Sequence, residues 1–156
     1  MSSYTSFAVV GFGVVGSLLA TEFVESKNAN KYKLRVLTRS VSPHGPSNSL
    51  HNNSLTIFET MLTQTDKLEL KALSSKGVDI IPVDYSSQES IAKALEGAEV
   101  VFSALRDDGL DIQTNVVRAS KDADVKLFVP SEYGRNTIGD KSDCASHLAV
   151  KWYNLY

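Results

Sequence analysis

Gly11, Gly13 and Gly16 stand in the stretch GFGVVG with the spacing G-x-G-x-x-G. The stretch follows a short apolar run, SFAVVG (Ser6 to Gly11), that reads as a buried first strand. It opens a segment, Val14 to Glu25, in which Val14, Val15, Leu18, Leu19, Phe23 and Val24 recur at helical spacing. In that strand-to-helix setting each glycine has a mechanical use. The first permits a tight turn, the second lets a pyrophosphate approach the backbone, and the third lets helix and sheet pack closely. Gly11, Phe12, Gly13, Val14, Val15 and Gly16 are therefore candidate cofactor-binding residues, and the helix N-terminus adds free N–H groups and partial positive charge. A turn in which the glycines serve structure alone is the alternative.

Two further groups could do chemistry. KLRVLTR reads as a second strand, and its end supplies Thr38 and Arg39, followed by Ser40. An NAD-binding domain usually carries Asp or Glu at that point to hold the ribose hydroxyls. A cation among hydroxyls suits the 2′-phosphate of NADP instead, with a solvated strand-end arginine as the alternative. The second group is KLFVPSEYG, an apolar strand that stops abruptly in Pro130, Ser131, Glu132, Tyr133 and Gly134. Leu127, Phe128 and Val129 ask for cover, whereas the polar turn must face something or merely end the strand.

The elements that would position these groups alternate. GVDIIPVD (Gly77 to Asp84), AEVVFSAL (Ala98 to Leu105) and VKLFVP (Val125 to Pro130) read as three further strands. Helices are expected over Gln88 to Leu95, with Ser87 as cap, over Asp111 to Asp122, and over 68–75. No strand pair is joined by a hairpin turn, and parallel strands need crossovers, usually helical. The fold class is α/β: a doubly wound parallel sheet with helices on both faces, one domain over 1–156. Val41 to Thr65 is polar and proline-containing at its start and without clear periodicity, so an inserted, exposed loop is expected there.

Composition narrows the partners. The chain has 156 residues, enough for one core, with 42% hydrophobic and 22% charged residues. A formal net charge of -2 gives no reason to expect nucleic acid or an anionic membrane. No apolar run reaches the length of a bilayer span, and the N-terminus lacks the pattern of a signal peptide. Cys144 is the single cysteine, which fits a reducing compartment and a cytoplasmic location. His44, His51 and His147 are dispersed, so no metal site is expected.

VVGFGVVG, LTRS, GVDIIPVDYSSQESIAKALEGAEVVFSAL and FVPSEYG, in that order, resemble the NmrA-like family, and within it the isoflavone reductase-like branch of atypical short-chain dehydrogenases. The resemblance covers nearly the whole chain outside Val41 to Thr65, and Gln113 matches a recurring family glutamine. It implies a Rossmann-type domain that binds NADP (NADPH), with Leu105, Ser131 and Tyr133 beside the cofactor and the PSEYG loop led toward the nicotinamide. It implies reduction of a small conjugated or aromatic substrate, with Lys151 holding the nicotinamide ribose and assisting proton transfer. The bland alternative for Lys151 is an exposed helix lysine. His147 stands four residues before it, so the Tyr-x-x-x-Lys arrangement of typical short-chain dehydrogenases is absent. Family members carry a further C-terminal lobe that forms much of the substrate pocket, and this sequence stops at Tyr156. The expectation is therefore cofactor binding with little turnover. Two other readings stay open: a non-catalytic dinucleotide sensor that regulates a protein partner, and a truncated product.

Overall fold

The computed structural model describes residues 4–39, 68–105, 110–131 and 133. Within them five strands form one sheet: β1 (Ser6–Val10), β2 (Lys33–Arg39), β3 (Asp79–Val83), β4 (Val100–Ser103) and β5 (Leu127–Val129). Among the described residues four helices accompany them: α1 (Val14–Glu25), α2 (68–75), α3 (Gln88–Leu95) and α4 (Leu110–Asp122). A short 3-10 turn, Ala29–Lys31, leads into β2. All four strand pairings are parallel, and the order is β3-β2-β1-β4-β5. The expected doubly wound α/β sheet is thus the fold observed.

Side chains alternate across the sheet with the period of two that strands impose. Ala8 and Val10 face one side, where Leu37, Val83 and Val101 join Ile91, Ala94 and Leu95 of α3 and Val116 and Ala119 of α4. Val9 faces the other side with Leu34 and Val36, against Ala20 of α1 and Leu73 of α2. On that second side Phe7 stacks obliquely on Phe23 at 4.9 Å between ring centroids, and Phe102 meets Phe23 edge-on at 5.9 Å. Both faces of the central strand are therefore sealed by helices.

Local signals set the helix ends. Ser87 caps α3, its hydroxyl accepting the Ser90 N–H at 3.2 Å. At the other end of α3, the Arg35 guanidinium donates to the carbonyls of Ala94 and Glu96 at 2.9 and 2.8 Å, satisfying acceptors that a helix end leaves over.

Three expectations need correction. The strands after β2 are shorter than their apolar runs, because Val78, Ala98 and Val125 are buried as they approach the sheet without pairing in it. Leu127 is 44% exposed, since β5 is an edge of the sheet among the described residues. Val14 and Leu18 are also exposed, because α1 turns Gly16, Leu19, Ala20 and Phe23 inward and leaves the 14/18 face outside. The expected insertion at 41–65 and Cys144, His44, His51 and His147 lie outside the described residues.

Candidate dinucleotide-binding site

From β1 the chain runs to β2 and β3 on one side, then returns to place β4 on the other side of β1. This reversal opens a crevice beyond the carboxyl ends of β1 and β4, where open α/β sheets bind their ligands. The GFGVVG turn sits at that point. Ala104 donates its N–H to the Val10 carbonyl at 2.8 Å, and Gly11 donates its N–H to the Leu37 carbonyl at 3.0 Å, so the turn is tied to both neighbouring strands.

The three glycines have three different surroundings. Gly11 has φ +97°, a left-handed conformation that favours glycine, and a Cβ there would meet the Ala104 carbonyl oxygen at 2.9 Å. Gly16 is buried against the turn, and a Cβ on it would lie 2.1 Å from the Gly11 carbonyl oxygen. Gly13 is unlike either. Its backbone is extended, φ -104° and ψ -161°, a conformation open to any residue, and a Cβ on it would meet nothing within 4 Å. Neither strain nor packing calls for glycine there.

Gly13 also stands at the N-cap of α1, where it supplies no side-chain cap bond, and the first turn holds no acidic residue. The first N–H groups of a helix have no intrahelical acceptor, and the positive end of the helix dipole lies with them. Phe12 packs into the core beside α1, leaving its backbone to the turn; Val15 is half-buried and Val14 is exposed. At the end of β2, Thr38 is half-buried and Arg39 exposed, with Arg39 in register with Val83.

The far side of the crevice is built from β4 and β5. Leu105 is half-buried, its Cδ2 beside Gly11, and its carbonyl accepts the Ser131 hydroxyl at 2.5 Å. Gln113, 5% exposed on α4, uses one oxygen for two partners: the Ser103 hydroxyl at 2.9 Å and the Ser131 N–H at 3.3 Å. One buried amide thus fastens the start of the PSEYG loop to the end of β4. Tyr133 is 45% exposed, and partial burial raises its phenol pKa above the ordinary value. Ser40, Glu132 and Lys151 lie outside the described residues.

The glycine turn, Thr38, Arg39, Leu105 and Ser131 therefore share one edge of the sheet, drawn there by parallel strands that end together. Sequence reasoning missed Tyr85, a buried phenol at that same edge whose hydroxyl donates to the Leu37 carbonyl at 2.7 Å. Its one signal was a phenol just beyond an apolar strand, where burial demands a hydrogen-bond partner. Among the described residues no group of three or more His, Cys, Asp or Glu side chains is placed to hold a metal, and no helix is long and apolar enough to cross a membrane.

Known proteins share this architecture. The isoflavone reductase homolog A622-like of Nicotiana tabacum is 35% identical over 86 residues, which are 54% of this chain and 28% of that protein. Two solved structures superpose on nearly the whole chain. AtPrR2 with NADP+ and (+)pinoresinol has a TM-score of 0.68 at 21% identity, covering 99% of this chain and 46% of that one. The binary complex of leucoanthocyanidin reductase with NADPH from Vitis vinifera has a TM-score of 0.60 at 19% identity, covering 96% of this chain and 43% of that one. At those identities the superpositions establish the fold. The chain spans under half the length of these structures and about a quarter of its curated relative. The NmrA-like family model matches residues 7–152, and the chain belongs to that family.

Proposed function

We propose that this chain is the NADP(H)-binding portion of a reductase acting on a small conjugated or aromatic molecule. The observation that carries the reading is Gly13. A glycine that neither conformation nor packing requires, at the mouth of an uncapped helix in the sheet's crevice, is explained by a ligand backbone that must pass where a side chain would stand. The pyrophosphate fits there, held by the N–H groups of the first turn of α1. Arg39, exposed at the end of β2, fits the 2′-phosphate as a charge-assisted partner. Ser131 and Tyr133 would line the nicotinamide side, and Lys151 would hold the nicotinamide ribose and move a proton at the substrate. When bound, the reduced nicotinamide supplies the hydride. The NADP+ and NADPH named with the two superposed structures support the choice of cofactor, and the pinoresinol of one supports a phenolic substrate class.

The test is calorimetric titration of NADPH and NADH against the wild type and Arg39→Ala. A charge-assisted contact is worth about 1.5–3 kcal/mol, so the variant should lose about tenfold to a hundredfold for NADPH and little for NADH. Equal affinity of the wild type for both cofactors would remove the NADP assignment, and absence of binding to either would remove the dinucleotide reading.

A further inference from the structure

Tyr85 opens the turn after β3 and is only 6% exposed, packed with Leu37, Val83 and Ile91. Its hydroxyl reaches the Leu37 carbonyl, the same oxygen that accepts the Gly11 N–H. One acceptor is thus shared by the glycine turn and by the loop after β3, and it belongs to the residue directly before Thr38 and Arg39. Burial pushes the Tyr85 phenol well up, so it remains a donor at any ordinary pH. The Gly11 N–H and the Arg39 charge both oppose that rise, as groups close to the phenolic oxygen do. Tyr85 is itself anchored from α4, where the Asn115 amide donates to its carbonyl at 3.3 Å. Among the described residues, the hydroxyl's bond is to the Leu37 carbonyl of β2. It is spent on the joint between the phosphate turn and the end of β2.

We propose that Tyr85 is a positioning residue of the dinucleotide site, fixing the turn at Gly11 against the Thr38–Arg39 strand end through the Leu37 carbonyl. The inference rests on the reading of the site given above. A 2′-phosphorylated dinucleotide touches both sides of this joint, its pyrophosphate at the turn and its 2′-phosphate at Arg39. The distance between those groups is limited by the ligand's own bonds, so a protein that holds the two sides at one spacing avoids an ordering cost on binding. A ligand that touches the Arg39 side alone gains nothing from the joint.

Tyr85→Phe keeps the ring and deletes the hydroxyl. NADPH and 2′-AMP are titrated by calorimetry and NMR against wild type and variant, at a temperature where circular dichroism shows both folded. The expected result is NADPH affinity weaker by about threefold to tenfold, the range of one net hydrogen bond, with 2′-AMP affinity unchanged. A merely structural hydroxyl would lower Tm and leave both affinities alone. If Tyr85→Phe does not fold, Asn115→Ala, which frees the same tyrosine from α4, carries the test with the same expected pattern. Unchanged NADPH affinity in the folded variant overturns the proposal, as does an equal loss for both ligands. A wild type that binds no NADPH overturns the underlying reading of the site instead, which is a different result from a wild type and variant that bind alike.

Discussion

Replacing Gly16 by alanine would set a Cβ 2.1 Å from the Gly11 carbonyl oxygen and 3.4 Å from the Ala104 Cβ. Comfortable contact begins at roughly 3.5 Å, so α1 must retreat from the turn by about 1.4 Å or the turn must open. Overpacking of that kind costs about 1–3 kcal/mol, and the fixed carbonyl places Gly16→Ala toward the upper end. For a chain of this size each kcal/mol lowers Tm by about 2–4 °C, giving an expected fall of about 4–12 °C. Gly13→Val should behave in the opposite way. Valine accepts the extended backbone at 13, and nothing lies within 4 Å of its Cβ, so the change costs about 1 kcal/mol through a poorer helix cap. Its branched methyl groups would fill the pyrophosphate's path, and NADPH affinity should fall by about a hundredfold. Scanning calorimetry and an NADPH fluorescence titration on both variants complete the comparison. A folded Gly13→Val that binds NADPH like the wild type would falsify the ligand role of Gly13. A Gly16→Ala as stable as the wild type would do the same for the packing argument.

Ser87→Ala removes the side-chain cap of α3 and should cost about 1 kcal/mol, seen as a Tm lower by about 2–4 °C with cofactor affinity unchanged; no shift in Tm would mean that the cap bond adds nothing. Glu99 accepts the N–H groups of Thr5 and Ser6 at 2.7 and 3.0 Å, and these bonds hold its carboxyl below the ordinary value of 4.5. Its stabilisation is therefore complete above about that pH and is lost as pH falls through the lowered value. The Tm difference between wild type and Glu99→Gln should be largest near neutrality and shrink in acid; a difference independent of pH would refute the charge-assisted clamp.

Much of the frame was legible because boundaries carry their own chemistry. α1 was readable from the helical spacing of its apolar residues after the glycine turn, the start of α3 from its cap Ser87, and β2 from the run KLRVLTR. Strand lengths were less legible. Hydropathy records burial, and Val78, Ala98 and Val125 are buried without taking part in a ladder. The exposure of Leu127 could not be read either, since an edge strand and an inner one have the same apolar sequence. In the site, the conformational need for glycine at 11 was readable from spacing. The partnership of Tyr85 with Leu37 was not, because it joins residues 48 positions apart through a backbone carbonyl, which leaves no mark on residue type.

The position of β1 has a consequence for how this chain comes together. Its two neighbours arrive at very different times during synthesis. β2 follows within a few dozen residues, whereas the bonds from Thr5 to Glu99, at the foot of β4, span 94 positions. Until β4 emerges, an apolar strand keeps one row of N–H and C=O groups unpaired. Such long-range parallel pairing is slow, and the waiting edge is a template for other chains. The seam between β1 and β4 is thus the joint on which the nascent chain depends most, and the partly made sheet is at greatest risk of aggregation just before it closes.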